Sequence, residues 1–167
     1  MILQTKRLLL RRAVRDDIDA IIHTWTDPEV MKFMGGPRDP QKVREAIEKN
    51  ISSMKEPIDI WPLVEIATGN IIGDCGFVKK KIEDKDEIEI IYILKKEKQG
   101  MGYATEIALE LMDYALRNIK LNRLIALIDP LNYPSEKVAL KIGMKNERMI
   151  DRNGKTMKLY SISSGII

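Results

Sequence analysis

One cysteine, Cys75, and one histidine, His23, occur in the 167 residues. A single thiol cannot build a disulfide framework within the chain, and a single imidazole cannot complete the common zinc or iron ligand sets, so no metal site is expected. Aromatic residues are few, 5% of the chain, and no apolar run approaches the ~20 residues of a membrane-spanning helix. The opening stretch "MILQTKRLLLRR" is interrupted by charge too early for a secretory leader. These absences point to a cytoplasmic protein with no membrane partner. Charge of one sign is also scarce in excess: 28 Lys and Arg face 25 Asp and Glu, a net +3, too little to mark a nucleic-acid binder. What is present is an apolar content of 44% over a length typical of one domain, so residues 1–167 are expected to form one unit around one core.

Along the chain, strand and helix patterns alternate. Residues 7–12, "RLLLRR", read as extended, and Asp16-Asp17 open an amphipathic run carrying Ile18, Ile21, Ile22 and Trp25. Asp27-Pro28-Glu29 restarts a short helix through Phe33. Asp39-Pro40 supplies a cap and a first-position proline for a third helix, with Val43, Ala46, Ile47 and Met54 as its buried stripe. The period then changes: "IWPLVEI", a Thr68-Gly69-Asn70 turn and "IIGDCGFV" make a hairpin, and "EIEIIYIL" at 87–94 is a further strand, apolar enough after Glu89 to be covered on both faces. Helical spacing from Ala104 to residue 118 leads to the strand "RLIALI" at 123–128, a unit for which parallel pairing is expected. Asn132 to Ser135 start a short helix that Gly143 ends, and Asn153-Gly154 joins two final strands as a hairpin. The expected fold class is α/β (α+β), a single mixed central sheet flanked by helices.

Three places carry residues suited to chemistry. "KQGMGYATE" at 98–106 puts two glycines at the entrance to a helix, where free N–H groups and the positive end of the helix dipole can hold phosphate. Neither a G-x-x-x-x-G-K-[ST] loop nor a dinucleotide fingerprint is present, since Thr105 stands where the latter needs its third glycine. Lys95, Lys96 and Lys98 crowd the loop, and Lys137 and Lys141 follow on the later helix. In the strand at 87–94, Glu87, Glu89, Ile91 and Ile93 share a face, and a carboxylate near the middle of a buried strand is raised in pKa toward a useful base; Glu89 is the better placed, with Asp74 on the neighbouring strand as a second acid. Asn132-x-x-Ser135 is a routine helix start. It gains interest because parallel pairing of 87–94 with 123–128 would set it at the same sheet edge as the glycine loop, where ligands collect.

Gln99-Gly100-Met101-Gly102-Tyr103-Ala104 fits the Q/R-x-x-G-x-G/A signature of the GCN5-related N-acetyltransferases (GNAT). "IGDCGF", "GYATE", Asn-x-x-Ser followed by "KIGM", the opening "TKRLLLRRAVRDDIDAI" and the closing hairpin resemble, in order, the branch that acetylates ribosomal-protein amino termini and small amines. The likeness spans nearly the whole chain. It implies acetyl-coenzyme A as co-substrate, with the pyrophosphate on backbone N–H groups of Gln99, Gly100, Met101, Gly102, Tyr103 and Ala104, and the pantetheine arm along Tyr92, Ile93 and Leu94. It further implies that Asn132 hydrogen-bonds the arm, that Ser135 sits near the thioester sulfur, and that Glu89 draws a proton from the amine through water. Three positions depart from the branch: Ile91 replaces a frequent glycine, Gln99 a frequent tryptophan and Met144 the usual phenylalanine. The first of these bears on the shape of the acetyl pocket.

The acceptor implied is a primary amine, on a protein amino terminus or a small molecule. An α-amino group, pKa about 8, needs less help at neutrality than a lysine at about 10.4. A backbone N–H near Ile93 is placed to stabilise charge developing on the thioester oxygen. The alternative is a non-catalytic acyl-coenzyme A sensor, for which the Ile91 departure leaves room. Trp25, Phe33, Trp61 and Tyr133 are aromatic residues that could wall an acceptor pocket, and a second copy of the chain is retained as a candidate partner.

Overall fold

Aspartate and proline set most of the helix starts. In the computed structural model, which describes residues 1–53, 56–152 and 154–166, Asp27 Oδ1 accepts from the N–H groups of Glu29 and Val30 and starts α2 (Pro28–Met31). Asp39 Oδ1 accepts from Lys42 N–H at 2.9 Å and starts α3 (Pro40–Ser52). The start of α1 differs from expectation. Asp17 turns away from the helix: it takes the Arg11 guanidinium in two bonds of 2.6 and 2.9 Å and the Val14 N–H at 2.8 Å, so residues 15–17 form a single tight turn and α1 runs Ile18–Thr26.

The strands are β1 (Leu3–Gln4), β2 (Leu8–Leu10), β3 (Ile60–Glu65), β4 (Ile71–Ile82), β5 (Lys85–Leu94), β6 (Arg123–Ile128), β7 (Lys145–Arg152) and β8 (Lys155–Ser163), all in one sheet of order β1-β2-β3-β4-β5-β6-β8-β7. This is the mixed sheet expected from the sequence. β4 runs further than its apolar stretch because Lys79 to Ile82 stay laddered to β5 through a two-residue turn at Glu83 and Asp84, both with positive φ (46° and 67°), the backbone hand of tight hairpins. α4 (Tyr103–Asp113) ends before residue 118 and passes into a wider π turn over Tyr114–Asn118, in which the adjacent Ala115 and Leu116 are both buried. α5 (Tyr133–Lys141) is stopped by Gly143 at φ +89°. Gly154 follows the last turn at φ +78°, while its expected partner Asn153, like Met54 of the α3 stripe, lies outside the described residues.

Two layers of helix cover the sheet. On one face Ile107, Ala108 and Leu111 of α4 and Ala139 of α5 pack on Leu8, Trp61, Phe77, Ile90, Leu124 and Tyr160. On the other, Ile18 and Ile21 of α1 and Ile47 of α3 pack on Val64 and Ile71, and Met31 of α2 on Ile91 and Ile93. Period-2 alternation along β5 is what sends Ile90 and Leu94 to the first face and Ile91 and Ile93 to the second. Among the described residues no helix is long and apolar enough to cross a membrane.

The feature that positions the site is where the ladder stops. β5 is paired to β4 along its whole length, from Lys85 to Leu94, and β6 to β8 from Arg123 to Ile128. Between β5 and β6 the parallel pairing is confined to Glu89 opposite Ile125. Beyond that position the two strands diverge, leaving a notch at their carboxyl ends.

Candidate acetyl-transfer site

The loop from β5 to α4 borders the notch. Gly100 and Gly102 have φ of +77° and +80°, the left-handed region that glycine enters freely, and Gly102 occupies the position before α4 without a side-chain cap. The first recorded turn bond of α4 is Glu106 N–H to Gly102 carbonyl at 3.1 Å. The N–H groups of Gly100 to Thr105 have no acceptor among the described residues. A short run of main-chain donors at a helix amino terminus is an anion cradle.

Side chains pin this cradle from behind. Arg7 reaches Glu106 Oε2 at 2.6–2.7 Å, donates to the Met101 carbonyl at 3.1 Å and lies 4.4 Å over the Tyr103 ring. Gln99 Nε2 donates to the Leu94 carbonyl at 3.0 Å, so its side chain fastens the loop to β5. Glu65 accepts from Tyr103 Oη at 2.6 Å, Lys98 Nζ at 2.7 Å and Thr68 Oγ1 at 2.9 Å. The Lys98 ammonium and these hydroxyls hold the Glu65 carboxyl down to about 2. Lys98 is thus committed to Glu65, and Tyr103 contributes its N–H to the cradle while its ring is buried. Lys95, Lys96, Lys137 and Lys141 have no carboxylate partner among the described residues. Ala104 packs on the main core.

At the paired position where the notch begins, Glu89 is 8% exposed and lies 3.5 Å from Lys80 Nζ. Burial raises its pKa, partly offset by Lys80 and Arg152. Ile93 and Leu94 bury their side chains, leaving main chain at the opening. Tyr92 and Ser135 meet across it: Ser135 Oγ donates to Tyr92 Oη, and the phenol donates to the Ser135 carbonyl, both at 3.1 Å. Burial pushes the phenol up to about 12. Asn132 Oδ1 accepts from Ser135 N–H at 3.3 Å, the capping bond its position predicts. The fold therefore joins Tyr92, Ser135 and Asn132 by hydrogen bonds and ties the glycine loop to Leu94 of the same strand, while the Glu89 side chain lies on the opposite face of β5.

The reverse side of β4 and β5, under α1 and α3, holds a cavity of about 350 Å³ with Trp25, Val43, Ile47 and Pro62 in its wall. Asp74, 2% exposed, lines it and accepts from Trp25 Nε1 at 3.1 Å. Burial pushes its carboxyl up to about 7. Asp74 lies on the neighbouring strand, as expected, inside β4 and directly opposite Ile93. The glycine before it is forced by close approach: a Cβ on Gly73 would sit 2.0 Å from the Ile93 carbonyl oxygen. Among the four aromatic candidates only Trp25 lines this cavity; Trp61 is in the core and Tyr133 is exposed. The Arg7–Glu106 and Lys98–Glu65 supports were missed because the partners lie 99 and 33 residues apart.

A mixed sheet parted between two parallel strands, with an uncapped glycine-led helix at the parting, is the architecture of an acyl-coenzyme A N-acyltransferase. Residues 7–145 match the family model of the acetyltransferase (GNAT) domain. The chain belongs to the GNAT acetyltransferase family and is an acetyl-coenzyme A-dependent enzyme of that class. It is 33% identical to the uncharacterized protein YkkB of Bacillus subtilis (strain 168), over 97% of this chain and 95% of that one. It is 30% identical to the uncharacterized N-acetyltransferase p20 of Bacillus licheniformis, over 96% and 94%. Among solved structures, a GNAT-family acetyltransferase from Bacillus anthracis superposes with a TM-score of 0.82 at 27% identity, covering 97% and 98% of the two chains. Spermidine N-acetyltransferase from Vibrio cholerae, solved with CoA and spermine, gives 0.79 at 18% identity over 96% and 98%, a likeness of fold.

Proposed function

We propose that this chain moves the acetyl group of acetyl-coenzyme A to a primary amine by direct attack within a ternary complex. The observation that carries this reading is the run of N–H groups from Gly100 to Thr105 with no acceptor among the described residues, opening beside the notch between β5 and β6. These donors suit a pyrophosphate, and the main chain of Tyr92 to Leu94 together with Asn132 suits an amide-bearing arm. The co-substrate supplies an acyl carbon already activated as a thioester, so the protein needs no nucleophile of its own.

The residues then divide the work. Glu89, buried and raised in pKa, takes a proton from the amine through water. The Ile93 main chain faces β4, so the donor to the developing oxyanion falls to the neighbouring Tyr92 or Leu94 N–H on the notch side of β5. Ser135, hydrogen-bonded to Tyr92, stands near the departing sulfur, whose thiol pKa of about 8.5 asks for only modest acid help. The acceptor is a protein amino terminus or a small-molecule amine. The test is calorimetry with acetyl-coenzyme A, combined with a thiol-release assay over amino-terminal peptides and small amines. Binding with release supports transfer, whereas binding without release on every amine identifies a sensor. Ser135→Ala is expected to slow release by on the order of 10- to 1000-fold; an unchanged rate removes its role.

A further inference from the structure

The cavity under α1 and α3 lies outside the acetyl-coenzyme A cradle, yet the sheet register connects the two. Asp74 of β4 is the ladder partner of Ile93 of β5, so the two side chains share a face on strands ~4.8 Å apart. Glu89 lies four residues back along β5, about 13 Å from Ile93 at strand rise. Of the two buried carboxylates on this face, Asp74 is therefore the nearer to the main chain assigned to the thioester. It is also the one that lines a cavity of substrate size, with the Trp25 indole N–H fixing one oxygen.

The two ends of the cavity differ in charge. Its buried end is Asp74; its exposed end carries Arg38 and Lys42, neither with a carboxylate partner among the described residues. Arg38 bonds only to the carbonyls of Met34 and Gly36. Asp59, the other acid in the lining, has both oxygens occupied by Asn50 and one also by the Ile60 N–H, so it belongs to the wall. Between the ends the wall is apolar apart from this Asn50–Asp59 pair.

We propose that Asp74, in place of the role given to Glu89 above, receives the amine of the acceptor, and that the acceptor is a primary amine on an apolar body whose far end is anionic. The inference rests on the acetyl-transfer reading above. An entering ammonium gives one proton to the Asp74 carboxylate and becomes a neutral amine. Its nitrogen bonds to the thioester carbonyl carbon as the carbon–sulfur bond breaks, the remaining excess proton passes from nitrogen to the departing sulfur, and the proton on Asp74 returns to solvent. No oxidant or further reactant is needed. A second positive charge on the acceptor, as in a polyamine, would meet Arg38 and Lys42.

Hexylamine, aminohexanoate and diaminohexane form a matched set that tests both halves. Aminohexanoate should exceed diaminohexane in kcat/KM by about five- to tenfold, and the Arg38→Ala, Lys42→Ala double variant should erase that difference. Asp74→Asn should lower kcat/KM for every accepted amine by on the order of 100-fold with acetyl-coenzyme A affinity unchanged. Trp25→Phe removes a donor to the carboxylate and should move the limb of the kcat/KM profile near neutrality to higher pH. The charged groups around Asp74 are Lys95 after β5, Asp17 before α1, Arg38, Lys42 and Asp59 around the cavity, and Glu89 on β5. Asp17 is held ionised by Arg11, so Glu89 is the competing source of such a limb, and Glu89→Gln identifies it. Asp74→Asn with wild-type kcat/KM, or with loss of acetyl-coenzyme A binding, overturns the assignment and leaves acetyl transfer standing. Equal rates on aminohexanoate and diaminohexane overturn the anionic end. No release from any amine overturns both readings.

Discussion

Gly102 separates two demands that glycine often serves together. Its φ of +80° disfavours most side chains, yet a Cβ there would find only Arg7 Nη2, at 3.5 Å. Space inside the fold is therefore not what requires glycine. Asparagine tolerates left-handed backbone, so Gly102→Asn should keep the fold, lowering stability by no more than about 1 kcal/mol. If the N–H cradle closes on a pyrophosphate, the new side chain stands in the approach, and acetyl-coenzyme A affinity should fall at least about tenfold. Calorimetry on the folded variant decides: undiminished affinity would mean that the ligand does not lie against this turn. Gly73 is the opposite case, with ordinary φ and a carbonyl oxygen where its Cβ would be, so its demand comes wholly from β5.

The helices show the same division between stability and site. Asp27, Asp39 and Asn132 cap α2, α3 and α5 with side-chain oxygens, whereas α4 has no such cap where it faces the notch. Asp39→Ala should cost about 1 kcal/mol, read as a lower denaturation midpoint with unchanged slope, and should spare acetyl-coenzyme A binding because α3 lies across the sheet from the cradle. An unchanged midpoint would show that proline at the first position suffices to start α3. These caps, the hydrophobic periods and the glycine loop were legible in the sequence because each is a local code. What escaped was non-local. Asp17 reads as a cap until Arg11 claims it, the Glu83–Asp84 turn carries none of the usual glycine, and β8 enters between β6 and β7 on register alone. For the site, Tyr92, Asn132 and Ser135 were named and are joined by hydrogen bonds, but the Tyr92–Ser135 bond itself and the cavity above Asp74 depend on which faces meet.

For the molecule as a whole, these carboxylates set a stability profile against pH. Glu65 and Glu147 are held at about 2 by Lys98 and Arg123 respectively, with hydroxyl donors; their contribution is present above the ordinary carboxylate range and is lost as pH falls toward 2. Asp74 acts in the opposite sense. Its carboxyl, pushed up to about 7 by burial, binds a proton more tightly folded than unfolded, so stability falls as pH rises from its ordinary value near 4 to 7 and is level above that. Glu89 is shifted in the same direction. Stability should therefore peak near the upper end of the carboxylate range, at about pH 5, and decline toward neutrality. A carboxyl displaced from near 4 to about 7 corresponds to roughly 2–4 kcal/mol, and Asp74→Asn, which keeps an oxygen for Trp25 Nε1, should recover much of it at about pH 8 and none at about pH 4. Thermal melts of the two chains across that range measure the difference directly. Parallel curves would mean that Asp74 is no harder to ionise in the folded chain than in the unfolded one, whereas converging curves at low pH would show a buried acid maintained at the expense of stability, as a site residue can be.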